Sequence, residues 1–147
     1  MKTIILTAIC LSLASAHASD PGAQLVVAVG APGGEEYGET FAATAADWKR
    51  AAEAGGTSAR IIGLEASESS DLELFEVAIT EGNGGASPLW IVLVGHGTFD
   101  GREAKFNMRG DDLSAAQLAG WLEDADRPVV VINTTAASAP FIKTLSG

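Results

Sequence analysis

Continuous apolar runs and helical spacings alternate along the chain. Each run has strand length and is hydrophobic throughout, which is typical of strands buried on both faces of a parallel sheet. The four predicted strands lie near residues 24–29, 58–64, 89–94 and 128–132. The segments between them carry apolar residues at the spacing of an amphipathic helix. This alternation predicts an α/β fold, with one parallel sheet and helices on both faces.

The predicted helices have recognisable starts and stops. Hydrophobic spacing predicts a first helix from about Glu39 to Ala54, ended by two glycines. Capping boxes predict two further starts, because Ser70 precedes Glu73, and Ser114 precedes Gln117, by three residues. A fourth helix is expected from about residue 136. The Gly-rich and charged segment 98–112 is expected to be irregular, with a short extended piece at 106–108.

Length and charge narrow the function classes. The chain has 147 residues, enough for one domain of ordinary size, and a formal net charge of −10. An acidic chain without a basic cluster is a poor partner for nucleic acid or for an anionic membrane. A metal site is also not expected, since too few histidines and cysteines are present to build one. No cofactor is predicted.

Residues 1–18 resemble a secretory signal peptide. A lysine at position 2 precedes an apolar stretch, and small residues at Ala14, Ala16 and Ala18 offer cleavage sites. We therefore expect a secreted or periplasmic protein, with the α/β domain spanning residues 19–147. Cleavage after Ala18 would remove the only cysteine, Cys10, and leave His96 as the only histidine. No membrane attachment is expected after cleavage.

His96 is the strongest candidate for chemistry. It follows the most apolar predicted strand and stands between two glycines, Gly95 and Gly97. Open α/β sheets place their sites at the carboxyl ends of parallel strands. The polar residues Asn133, Thr134 and Thr135 follow the last predicted strand in the same way. These two strand ends are therefore expected to share one edge of the sheet.

Two segments resemble the caspase-like cysteine peptidases, which include legumains, gingipains, caspases and bacterial secreted relatives. They are Trp90–Gly97 (WIVLVGHG) and Val129–Phe141 (VVVINTTAASAPF), and the stretch from Gly97 to Trp121 looks like a bacterial branch of the family. The resemblance covers about residues 88–142. It implies a three-layer α/β/α fold with the predicted strands in the order 2-1-3-4.

The resemblance also implies roles for three residues. His96 would assist proton transfer, the backbone N–H of Gly97 would stabilise the oxyanion, and Thr134 would occupy the position of the family's nucleophilic cysteine. A hydroxyl is far less acidic than a thiol and needs a well-placed base, while threonine nucleophiles generally use an N-terminal amine. The resemblance therefore implies a peptide-binding or regulatory pseudo-peptidase, or a truncated fragment, rather than a working peptidase.

The end of the sequence departs from the same family. Caspase-like domains continue past the nucleophile helix with further strands, which help to form the substrate pocket. The sequence ends at Gly147. The expectation is a C-terminally incomplete domain with an incomplete specificity pocket.

Two other functions remain open at this stage. A nucleotide- or small-molecule-binding domain would use Gly33, Gly34, His96, Thr134 and Thr135 as ligands, although the spacing of a phosphate-binding loop is absent after the first strand. A purely structural role predicts that replacing His96 changes stability alone.

Overall fold

The computed structural model describes residues 22–146, and the predicted signal peptide lies outside them. Seven strands and four helices follow one another in this part of the chain. In chain order they are β1 (Gln24–Val29), α1 (Glu35–Ala54), β2 (Ser58–Ile62), α2 (Asp71–Glu81), β3 (Leu89–Val94), β4 (Gly97–Phe99), β5 (Ala104–Phe106), β6 (Leu113–Ser114), α3 (Ala115–Trp121), β7 (Val129–Asn133) and α4 (Ser138–Leu145).

The main sheet confirms the predicted fold class. Its four strands are parallel and have the order β2-β1-β3-β7. These are the four strands predicted from the sequence, so the expected order 2-1-3-4 is also confirmed. β1 and β3 occupy the centre, and residues 25–29 and 91–94 are all buried. This burial explains why both strands are continuously apolar.

Helices cover both faces of the sheet. On one face, α1 packs Phe41, Ala45 and Trp48 against side chains of β1 and β3. On the opposite face, α2, α3 and α4 form the larger core, with Phe75, Leu118 and Phe141 as fully buried anchors. The arrangement is therefore three-layered, with a single helix on one side.

Both predicted capping boxes are present. The Ser70 hydroxyl accepts the Glu73 N–H while the Glu73 carboxylate accepts the Ser70 N–H. Ser114 and Gln117 exchange the equivalent bonds at the start of α3. Each box satisfies donors that a helix N-terminus leaves free.

Several boundaries differ from the predictions. α1 begins at Glu35 rather than Glu39, because the chain turns into the helix directly after Gly34. β2 ends at Ile62 rather than 64, because Gly63 leaves the sheet with a φ of 102°. A Cβ atom at Gly63 would lie 2.0 Å from the Val29 carbonyl oxygen, so glycine is required at this crossing.

The segment after β3 is more ordered than predicted. Instead of an irregular excursion, it forms a small antiparallel sheet of order β4-β5-β6. An ion pair holds its far side, since the Arg109 guanidinium donates to both carboxylate oxygens of Asp71 at 2.6 and 2.8 Å. Asp71 is buried at the start of α2. The excursion is thereby fixed beside the carboxyl edge of the main sheet.

Arg127 closes the opposite edge of the sheet. Its side chain is buried, and its guanidinium donates to backbone carbonyls on both sides of β1 and β3. The main-chain acceptors are Gly22, Gly82, Gly84, Ser87 and Pro88, and the Gln24 side chain adds another. A fork of five N–H donors suits such a set of oxygens.

Candidate functional site

The carboxyl edge of β3 places His96 against the start of α1. The imidazole lies in edge-to-face contact with Tyr37 and Phe41, with ring centroids 4.8 and 5.1 Å apart. Its carbonyl oxygen accepts the Asn107 N–H at 3.0 Å, which joins the strand end to the excursion. Aromatic contacts and a main-chain anchor therefore hold the ring in one orientation.

A backbone carbonyl sets the protonation pattern of the ring. The His96 Nε2 atom lies 3.1 Å from the Pro32 carbonyl oxygen. Because a carbonyl can only accept, Nε2 must carry the hydrogen, and Nδ1 of the neutral ring is then the acceptor. No hydrogen bond to Nδ1 is present among residues 22–146. The geometry thus leaves Nδ1 able to accept a proton.

Gly97 contributes a backbone donor next to this ring. Hydrogen bonds between β4 and β5 involve alternate residues, with Asn107 donating to His96 and Asp100 to Glu103. In an antiparallel ladder this alternation turns the Gly97 N–H away from β5. Within the described part of the chain no acceptor faces that N–H. An oxyanion could accept it.

Thr134 lies at the predicted edge but its hydroxyl is engaged. The end of β7 adjoins the end of β3, so His96 and Thr134 follow neighbouring strands. Both the Thr134 N–H and its Oγ1–H donate to the Leu93 carbonyl, at 3.1 and 2.9 Å. No hydrogen bond joins Thr134 to His96 in the described residues. The hydroxyl is therefore directed at the main chain of β3 rather than at the imidazole.

Thr135 is the residue that contacts Gly97. A Cβ atom on Gly97 would lie 2.4 Å from Thr135 Oγ1 and 2.9 Å from Thr135 Cβ. Thr135 is buried, and its Oγ1 accepts the Ala137 N–H at 3.2 Å. Its N–H donates to Asn133 Oδ1 at 2.9 Å, forming an Asx turn.

This contact was not predicted from the sequence, which favoured Thr134. Asn133 carried the signal, because an asparagine at a strand end often binds the backbone two residues later and folds the chain back. The same turn explains why α4 begins at Ser138 rather than near residue 136. The turn between Asn133 and Ser138 is thus built around Thr135.

Unpartnered polar atoms accompany the two strand ends. Asn107 Oδ1 and Asn133 Nδ2 are buried atoms without a hydrogen-bond partner among the described residues. One is an acceptor and the other a donor. Asn107 follows β5 and binds His96 through its backbone, and Asn133 ends β7.

The glycine-rich turn after β1 is poorly suited to phosphate. Gly34 is the N-cap of α1 and provides no side-chain hydrogen bond to the first turn. Free N–H groups at a helix start favour an anion. However, Glu35 and Glu36 occupy that first turn, so a phosphate would meet two carboxylates. Charge at this position disfavours the nucleotide-binding alternative.

Neither family models nor known proteins and solved structures give a match to this chain. In residues 22–146, no cluster of three or more His, Cys, Asp or Glu side chains could hold a metal ion. No helix in that range is long and apolar enough to cross a membrane.

Proposed function

We propose that this protein is a caspase-like peptidase homologue that binds peptides without cleaving them. The observation that carries the proposal is one strand-end geometry. His96 and Gly97 follow β3, a threonine-containing turn follows the adjacent β7, and Gly97 packs against that turn. An imidazole with a free Nδ1 and a free backbone N–H are groups that can bind a peptide carbonyl and its neighbours.

Thr135 competes with Thr134 for the nucleophile position. Caspases carry their nucleophilic cysteine as the third residue of Gln-Ala-Cys. If the polar Asn133 takes the place of that glutamine, the third residue is Thr135. The contact between Thr135 and Gly97 supports this alignment. Either alignment replaces the cysteine by a threonine.

The hydroxyl groups make poor nucleophiles in this geometry. The Thr134 hydroxyl donates its proton to the Leu93 carbonyl, which cannot remove it. The Thr135 hydroxyl is buried and accepts a backbone N–H. General acid–base assistance contributes about 10²–10⁴-fold, which does not substitute for covalent catalysis. A binding role is therefore favoured over peptide hydrolysis.

Peptide binding can be followed at His96 itself. After cleavage of residues 1–18 it is the only histidine, so its ring protons give isolated NMR signals. We expect short peptides to shift the ring signals of His96 and the amide signal of Gly97, with no peptide cleavage. The matched control is His96→Gln, in which the Gly97 shift should weaken. If peptides leave both residues unchanged, the proposal is wrong.

A thiol should restore chemistry if the frame is that of a peptidase. Thr134→Cys and Thr135→Cys are made separately, and we expect one of them to show peptide hydrolysis that Ala at position 96 abolishes. The position that responds identifies the nucleophile position. Hydrolysis by the unmodified protein that is lost in Thr134→Ala or Thr135→Ala would show instead that a threonine is the nucleophile.

The nucleotide-binding alternative gives a different pattern in the same spectra. Adenosine triphosphate or inorganic phosphate would then shift the amides of Gly33 and Gly34, whereas peptides would have no effect. The carboxylates of Glu35 and Glu36 lead us to expect no such shift.

A further inference from the structure

The outer edge of β7 differs from every other position in the main sheet. β7 pairs only with β3 and ends the sheet order. All five of its residues, Val129–Asn133, are partly exposed although four of them are Val or Ile. An uncharged, β-branched edge strand is an effective template for another strand.

The register fixes which backbone groups point outward. Leu89 N–H donates to the Pro128 carbonyl, and Thr134 N–H donates to the Leu93 carbonyl. In a parallel ladder with this register, the residues between them alternate, so Val130 and Ile132 direct both backbone groups toward β3. The N–H and C=O groups of Val129, Val131 and Asn133 therefore point away from the sheet. None has a hydrogen-bond partner among residues 22–146.

Apolar side chains border this edge on both faces. On the side of α3 and α4 there is a groove of about 420 Å³, whose apolar lining includes Leu122, Val129, Val131 and Leu145. On the side of α1, Trp90 and Ile132 are half-buried. A strand added to β7 would cover apolar surface above and below the sheet.

The opposite edge of the sheet shows how an edge is protected. There β2 carries Arg60, whose guanidinium lies 3.4 Å from the Glu81 carboxylate. Charged side chains on an edge strand discourage pairing with another chain. No charged residue lies on β7. The two edges of one sheet therefore differ in a way that favours association through β7 alone.

Charge around β7 selects the direction of a partner strand. The turn before β7 carries exposed Glu123, Asp124 and Asp126, whereas residues 133–137 after it are uncharged. Antiparallel pairing of two copies sets the acidic turn of one beside the uncharged end of the other. Parallel pairing would bring the acidic turns together. The distribution is complementary only for a two-fold antiparallel arrangement.

We propose that two copies of this protein associate through antiparallel pairing of β7 with β7, on a two-fold axis through Val131. Val131 then exchanges backbone hydrogen bonds with the same residue of the partner, and Val129 does so with Asn133 in both directions. This register uses every outward N–H and C=O of the strand. It is an isologous interface and gives a continuous eight-stranded sheet. The inference does not depend on the proposed peptide-binding function.

Disulfide trapping tests the register directly. The full chain with Cys10→Ser carries no other cysteine, so Val131→Cys introduces a single thiol. Hydrogen-bonded antiparallel pairs have Cα atoms about 5.5 Å apart, within the range of a disulfide. Val129→Cys is the matched control, because both side chains line the same groove. Its two copies would be separated by about 13 Å along the strands, beyond the reach of a disulfide.

Mild oxidation should cross-link Val131→Cys at least tenfold faster than Val129→Cys, and sedimentation should give a dimer for the unmodified chain. Val131→Lys should shift that dimer to monomer, while Ser58→Lys on the β2 edge should not. A monomeric unmodified chain at 100 µM, or cross-linking of Val129→Cys as fast as Val131→Cys, would overturn the proposal. If Val131→Lys unfolds, the two cysteine variants still decide the register.

Discussion

Gly97 and Thr135 are in contact across the ends of β3 and β7, so close that a Cβ atom on Gly97 would lie 2.4 Å from the threonine Oγ1. The contact joins the histidine-bearing turn to the turn that resembles the nucleophile loop. It also explains the glycine after His96 on steric grounds. Any side chain there must displace Thr135 or Ala137, whose Cβ would lie 3.1 Å away.

Gly97→Ala should therefore destabilise the protein. Overpacking of this kind costs about 1–3 kcal/mol in the free energy of unfolding. Gly120→Ala is the matched control, because nothing lies within 4 Å of its Cβ position in α3. Alanine in a helix is favoured over glycine by about 1 kcal/mol, so this control should raise stability. Urea unfolding of both variants measures the difference, and equal midpoints would contradict the contact.

The tautomer of His96 is a second expected outcome. The Pro32 carbonyl accepts from Nε2, so the neutral ring should carry its hydrogen on Nε2 and leave Nδ1 bare. Long-range proton–nitrogen NMR correlations distinguish the two tautomers. Detection of the Nδ1–H form as the main neutral species would mean that the hydrogen bond to Pro32 does not form in solution.

Arg127→Met should be among the most destabilising single substitutions. The guanidinium supplies hydrogen bonds to several buried carbonyl oxygens, and each buried acceptor left unpaired costs about 1–3 kcal/mol. We expect a loss of about 3 kcal/mol or more. Arg127→Lys should be intermediate, because an ammonium cannot reproduce the fork. Arg50→Met on the exposed side of α1 is the control, and a change there above about 0.5 kcal/mol would be unexpected.

The turn between β4 and β5 should respond to acid. Hydrogen bonds from the Glu103 and Arg102 N–H groups, both 2.8 Å long, lower the pKa of Asp100 from 3.8. A lowered pKa means that the stabilisation is complete above the unfolded value and is lost as the pH falls through the folded value. The amide signals of both residues should titrate with a midpoint below 3.8. In Asp100→Asn that titration should disappear, and a midpoint at or above 3.8 would contradict the turn.

The export prediction has a simple readout. The charge, apolar and small-residue pattern of residues 1–18 predicts a mature protein that begins near Ser19. Intact mass spectrometry of the secreted or periplasmic protein should show this shortened chain. A cytoplasmic product that retains Met1 would contradict the prediction.

The main sheet could be predicted because each strand is buried on both faces and therefore apolar without interruption. β3 is the clearest example, since five of its six residues are buried. The capping boxes at Ser70 and Ser114 were equally readable, because both partners lie within one helical turn. These features depend on local sequence alone.

The small sheet and the role of Thr135 could not be predicted in the same way. β6 is only two residues long, and β4 carries an exposed phenylalanine, Phe99. Such strands have no hydrophobic period that can be recognised. The position of Thr135 depends on a contact with Gly97, which is distant in sequence. Periodicity identifies the strand end but not which of two adjacent threonines faces its neighbour.

The order of the strands has a consequence for how the chain folds. No neighbouring strands in the main sheet form a hairpin, since Gln24 pairs with Leu89 and Leu89 with Val129. Large loops must close before these pairings are rewarded, and parallel sheets of this kind fold slowly. The buried bond from Arg127 to Gly22 also waits for nearly the whole sequence. A nascent chain therefore cannot complete its sheet during most of its synthesis, which keeps it unfolded for the interval in which export machinery acts.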